Sequence, residues 1–264
     1  MRACARSGCT RTPTWFARQA GVVIDSHWYC SVACVERMAR TRLLDARPAS
    51  GGLPSAGHLR IGVWLRPLGV STKEIDDALA AQRESRLKLG AQLVVLGYAT
   101  ADMVLEALAK QSGADFLTHV DAAVVRSGPA GLSPHAVRAL SLVPITRPER
   151  GRVRVACAAP VPRVALAAFS RITGLAPEPF VVTDAMFETL AAAYGADAET
   201  ADTAEFVEAH DLGEAIRHIT AAAVHDGTSR LTETRLDPFT WVRVEGDAGV
   251  RDVLWHEHET LKGA

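Results

Sequence analysis

Four of the five cysteines fall within the first 34 residues: Cys4 and Cys9 with four residues between them, Cys30 and Cys34 with three, and twenty between the pairs. In a reducing compartment, paired cysteines at short spacing read as metal ligands rather than disulfides. Zinc takes four soft ligands in a tetrahedron, and two short-spaced pairs supply them from two turns of chain. A segment of this size with few large apolar residues buries little core, so a bound ion would supply its folding energy. The alternative is four unligated thiols. His27 can stand in for one cysteine, although a surface histidine is the plainer reading. Four thiolates leave no open position for water, so a Zn2+ held by Cys4, Cys9, Cys30 and Cys34 would be structural rather than catalytic. Cys157, in the run RVRVACAA, reads as a buried small hydrophobe.

A second pattern is a tandem repeat. RIGVWLRPLGVSTKEIDDALAAQ, residues 60–82, overlays KLGAQLVVLGYATADMVLEALAKQ, residues 88–111. With a shift of 28, Arg60 meets Lys88, Ile61 meets Leu89, Gly62 meets Gly90, Leu65 meets Leu93 and Gly69 meets Gly97. The second copy then carries one extra residue, after which Ile75 meets Val104, Leu79 meets Leu108 and Gln82 meets Gln111. Each copy predicts a short helix ending at a left-handed glycine, then a second helix capped by Ser71 or Thr100. The aliphatic pairs, four residues apart, share one helical face. Gly62 and Gly90 are costly inside helices, and their recurrence implies a close approach to the backbone there. A basic residue two positions before each, a bare backbone and a helix start together suit a phosphate, and two copies suit a ligand with two phosphates. A repeat kept purely for packing is the other reading.

Two resemblances attach to these residues. Tyr29-Cys30-Ser31-Val32-Ala33-Cys34, leading into the helix former VERMARTRLL, resembles small treble-clef-like zinc fingers; Ser31 is the natural N-cap. The double motif resembles the MshEN domain, the N-terminal nucleotide-binding domain of type II secretion and type IV pilus assembly ATPases. The resemblance runs over about residues 58–250 and is strongest at 58–195. It implies that cyclic di-GMP is the ligand, lying along both motifs. The ligand-binding positions would be Arg60, Ile61, Gly62, Leu65, Gly69, Ile75, Leu79 and Gln82, with Lys88, Leu89, Gly90, Leu93, Gly97, Val104, Leu108 and Gln111. Several positions depart from the family pattern. Motif I is one residue short between Gly69 and Ile75 and carries Pro67, position 88 is lysine, and Ala159 replaces the usual aspartate before proline.

The elements that must position these groups follow from patterning. VRVAC reads as a strand, RVALAAFSRIT as a helix, EPFVVT as a strand and DAMFETLAAAYG as a helix, an alternation that predicts a small α/β layer. The fold class expected is α+β. It comprises a zinc-finger module at 1–44, a linker at 45–57, an MshEN-like domain at 58–196, and an α/β piece at 205–260. The MshEN-like domain divides into the helical double motif (58–112) and the α/β subdomain (113–196). The last piece resembles a degraded linker domain, with Thr228, Ser229, Arg230, Leu231 and Thr232 where the family has an Ala-Ser-Asp-Ile-His-like run. Charge is split: eight arginines against three acids in residues 1–48, fifteen acids against six bases in 197–264. That suits a basic end meeting acidic partners, or plain solvated surface.

Other chemistry is excluded or weak. No apolar run approaches the roughly 20 residues needed to cross a bilayer, and the start lacks the apolar core of a signal peptide, so a cytoplasmic protein is expected. There is no G-x-x-x-x-G-K-[ST] phosphate loop and no G-x-S-x-G elbow, and the C-terminal length is short of a RecA-like motor, so no enzyme is expected. His256 and His258 flank Glu257 at the wrong spacing for H-E-x-x-H. His210 and Asp211 read as helix-start residues, and Trp64 as core. The favoured function is a stand-alone cyclic di-GMP receptor or adaptor with an unidentified protein partner. The alternative is a structural interaction module of secretion or pilus machinery without nucleotide; nucleic acid is not favoured.

Overall fold

The computed structural model describes residues 3–12, 21–49, 60–198 and 204–257. Most of the expected linker, residues 50–57, and His258 lie outside the described residues. The fold is mixed α+β and is organised around two sheets and a helical layer.

Helices α2 (Ile61–Leu65), α3 (Thr72–Ser85), α4 (Leu89–Val95) and α5 (Ala101–Ser112) form the double motif. Both left-handed glycines are where the repeat puts them: Gly69 at φ 102 and Gly97 at φ 73. Ser71 Oγ accepts from Glu74 N while Glu74 returns a bond from the Ser71 N–H, and Thr100 Oγ1 accepts from Met103 N. In motif I the first helix tightens to a 3-10 turn at Arg66–Leu68 around Pro67, which has no N–H to continue an α-helix. The residue missing from motif I comes out of the turn: only Val70 separates Gly69 from its cap, whereas Tyr98 and Ala99 separate Gly97 from Thr100. The copies interlock, α2 packing on α5 and α3 on α4, around Leu65, Val70, Ala78, Leu93 and Ala107. Trp64 packs against this core, with no hydrogen-bond partner for its Nε1.

The expected α/β alternation follows. Strands β3 (Asp115–Phe116), β4 (Val143–Pro144), β5 (Arg152–Cys157) and β6 (Ala176–Val181) form a sheet in the order β3-β6-β5-β4, all parallel except β4. Helix α8 (Arg163–Thr173) joins β5 to β6, and α9 (Asp184–Ala193) follows β6; the short helices α6 (Ala122–Arg126) and α7 (Pro134–Leu140) precede β4. Cys157 is fully buried, as expected of a small hydrophobe, and burial pushes its thiol up to about 12.

The largest departure from expectation concerns the two ends of the chain, which the sequence patterning separates into a finger at 1–44 and a piece at 205–260. Strands β1 (Val22–Ile24) and β2 (His27–Tyr29) join β7 (Glu205–Ala209), β8 (Thr228–Leu236), β9 (Phe239–Gly246) and β10 (Gly249–His256) in one six-stranded sheet, ordered β2-β1-β8-β9-β10-β7. Here β1 runs parallel to β8. One face carries α1 (Val32–Leu44) and α10 (Leu212–Asp226) over Val242, Val244 and Val253. The other face buries Trp241 and Leu254 in the core of the α/β layer, where α8 lies against β8. Three-residue strands have too little sequence for patterning to pair them, so their partner is a tertiary decision.

Candidate functional site

A cavity of about 650 Å³ lies between the second motif and the α/β layer. Its helical wall is Lys88, Leu89, Gly90, Ala91 and Val94 from the start of α4, with Val104, Leu105, Leu108 and Gln111 from α5. Ile61 is the contribution of motif I. The opposite wall comes from the segments after two parallel strands: Ala159, Pro160, Val161 and Arg163 after β5, and Val182, Thr183 and Asp184 after β6. It thus sits outside the carboxyl ends of parallel strands, where the starts of α8 and α9 also converge, the usual place for a ligand in an open α/β layer. The lining is mainly aliphatic, with Lys88, Gln111, Ser112, Arg163, Thr183 and Asp184 as polar residues. The volume is that of a small-molecule site.

The sixteen motif positions therefore divide. Ile61, Lys88, Leu89, Gly90, Val104, Leu108 and Gln111 line the cavity. Leu65 and Leu93 are fully buried in the helical core. Gly69 and Gly97 cap helices, and a Cβ there would meet open space, so φ rather than crowding selects glycine. Leu79 is exposed, and Gln82 donates from Nε2 to the Leu87 carbonyl at 2.6 Å, holding the connection ahead of Lys88. Arg60 is exposed at the start of α2.

The close approach expected at both glycines is found at Gly90, where it comes from within the motif, whereas Gly62 has room for a Cβ. A Cβ on Gly90 would lie 2.5 Å from Val104 Cγ1, and one on Gly62 would lie 3.5 Å from Ile75 Cγ2. The conserved-in-both-copies glycine and the first aliphatic of the second helix are thus packing partners.

Sequence reasoning missed the α/β wall. Its signal was present in the small and proline residues that follow β5, Ala158-Ala159-Pro160, and in Thr183, whose Oγ1 caps α9 by accepting from Met186 N. Arg163 Nη2 donates to the Ser112 carbonyl at 2.8 Å, tying this wall to the end of α5.

The second constellation is the thiol cluster. The sulfurs of Cys4, Cys9, Cys30 and Cys34 all lie within 4.8 Å of one another. Three separations are 3.7 Å (Cys9–Cys30), 3.6 Å (Cys30–Cys34) and 4.0 Å (Cys9–Cys34). A tetrahedral ion with Zn–S bonds of about 2.3 Å places its sulfurs about 3.8 Å apart. The four residues can therefore hold a metal such as zinc. Cys4 comes from the turn at the N-terminus, where its N–H donates to the Arg11 carbonyl and Ala5 N–H donates to the Trp28 carbonyl. Cys30 follows β2, and Cys34 sits in the first turn of α1, with Ser31 at the N-cap position but without a side-chain capping bond. A backbone hydrogen bond at Arg11 is the main pull that brings the Cys9 thiol down to about 7, whereas burial, then its thiol neighbours, pushes Cys30 up to about 12. Thiols this close resist ionising together, and a divalent cation removes that conflict.

The remaining histidines form no comparable group among the described residues. Asp211, with Oδ1 accepting from Glu214 N, caps α10 as expected. His256 pairs through Nε2 with Glu208 at 2.5 Å and stacks on His210. No helix among the described residues is long and apolar enough to cross a membrane.

No protein-family model and no curated protein matches the chain. Among solved structures, a structure of MshE with cdg is similar over 52% of this chain and 99% of its own, at 24% identity and a TM-score of 0.40. The N-terminal domain of XpsE is similar in two crystal forms. One shows 26% identity over 54% of this chain and 97% of its own, with a TM-score of 0.35. The other shows 24% identity over 51% and 93%, with a TM-score of 0.29.

Proposed function

We propose that the chain is a non-enzymatic, cytoplasmic cyclic di-GMP receptor or adaptor whose ligand enters the cavity beside the second motif. The same reading places a structural Zn2+ in the four-cysteine centre. The observation that carries it is the cavity itself: seven of the sixteen motif positions meet there, opposite a wall holding Arg163 and two helix starts. Lys88 and a largely aliphatic lining suit a phosphate and a base. On this reading residues 58–196 bind the ligand. Residues 1–44 together with 205–260 face a protein partner, for which the resemblance suggests secretion or pilus machinery.

Titration calorimetry with cyclic di-GMP tests it: saturable heat is expected, and none at ligand well above 100 μM (about 5 kcal/mol of binding) rejects it. Lys88→Ala is expected to weaken binding by roughly 1.5–3 kcal/mol, the worth of a charged hydrogen bond. Arg60→Ala, at an exposed position off the cavity lining, is expected to weaken it less.

A second reading, a structural interaction module without nucleotide, is favoured by one observation. Gly90 lies against Val104, so packing alone accounts for that glycine. A thermal-shift screen separates the two, since a specific ligand raises the melting temperature by mass action.

A further inference from the structure

The four-thiol centre does more than sit beside the C-terminal sheet. β1 is hydrogen-bonded to β8, with Val23 N–H donating to the Gly227 carbonyl and Asp25 N–H to the Ser229 carbonyl. Arg42, on the helix opened by Cys34, reaches back across the sheet. Its Nε donates to Glu233 at 2.9 Å, its Nη2 donates to the Leu231 carbonyl at 2.7 Å, and its Nη1 pairs with Asp25. Asp25 in turn accepts from the Leu231 N–H at 3.0 Å. One guanidinium thus ties the β1–β2 turn to a strand that lies 191 positions beyond Arg42 itself. Beneath it, Val35 and Leu43 of α1 share one core with Ile219 of α10, Leu231 of β8 and Val242 of β9.

We infer that metal occupancy and the order of the C-terminal sheet are coupled, the ion acting as the clasp of one unit built from both ends of the chain. A hairpin of two three-residue strands is not stable alone. What holds it flat against β8 is the fold around Cys4, Cys9, Cys30 and Cys34 on one side and the Arg42 clamp on the other. Release of the ion frees the hairpin and α1 together, which uncovers the apolar side of α10 and removes the neighbour of β8. The coupling is reciprocal, so weakening the clamp must weaken the hold on the metal. The inference rests on the metal reading above and is independent of the ligand cavity.

The experiment uses the full chain. Metal content is measured first, and hydrogen exchange is then followed by mass spectrometry with zinc bound and after removal by a chelator. Exchange is expected to rise about tenfold in residues 212–236 as well as in 21–44. A rise confined to 21–44 overturns the coupling while leaving the metal reading intact. A purified chain that holds no metal and takes up no added zinc overturns both. Arg42→Ala touches no thiol, and its zinc affinity, read by competition with a chromophoric chelator, is expected to fall at least tenfold. An unchanged affinity overturns the coupling.

Discussion

Gly62 and Gly90 hold the same place in two copies of one motif, yet their surroundings make opposite predictions. Gly90→Ala drives a methyl to within 2.5 Å of Val104 Cγ1, in a buried helix contact, and is expected to destabilise by about 1–3 kcal/mol. Gly62→Ala meets Ile75 at 3.5 Å, ordinary contact, and is expected to be neutral or stabilising by up to about 1 kcal/mol through helix propensity. Urea denaturation of the two variants checks both signs, and Val104→Ala is expected to rescue Gly90→Ala in part because the two residues touch. A different kind of residue lies in the large sheet. Arg243 donates from Nε and Nη2 to Asp252 at 2.8 Å each, and Trp241 Nε1 donates to the same carboxylate at 3.0 Å. Asp252 is fully buried. Asp252→Ala leaves an uncompensated buried guanidinium and is expected to cost about 3–5 kcal/mol, again read by urea denaturation.

At the scale of elements, the double motif was legible because each helix carries its own start and stop. Ser71 and Glu74 form a capping box and Gly69 ends the preceding turn, all short-range interactions. Ser71→Ala is expected to cost about 1 kcal/mol by removing the cap of α3, measured by thermal denaturation. The Glu74 carboxyl is held below its usual range, first by the Ser71 side chain and then by its backbone. A depressed carboxyl stabilises the fold above the ordinary glutamate range and loses that effect as pH falls through it. The capped helix should therefore weaken on acidification below about pH 4, and Ser71→Ala should flatten this acid limb of the stability profile. The α/β alternation was legible for the same reason, from the hydrophobic β5 and the amphipathic α8. Strands β3 and β4, two residues each, carry no period at all and were not.

On the scale of the whole molecule, the six-stranded sheet divides two cores and draws strands from both ends of the chain. Its centre, β8–β9–β10, is a run of hairpin-connected antiparallel neighbours, but its edge is completed by β1 and β2 through the thiol-bearing segment. Metal removal is accordingly expected to lower the melting temperature of the full chain, with recovery on adding zinc, since binding energy at a site absent from the unfolded chain is folding energy. Scanning calorimetry with and without chelator measures it.

The amino-acid sequence by itself determined what depends on neighbours in the chain. That covers the four-cysteine set, the two helix–turn–helix copies with their caps and glycines, and the strand–helix alternation after them. Tertiary structure alone decided the rest. It placed the cavity against motif II, because the second wall comes from the ends of β5 and β6, some fifty to seventy positions beyond the motif. It assigned Gly90 to helix packing, because only the packed chain brings Val104 over it. It also joined the cysteine-bearing N-terminal segment to the C-terminal strands, because a backbone edge three residues long accepts whichever partner the closing core presents, and no periodicity within it names that partner.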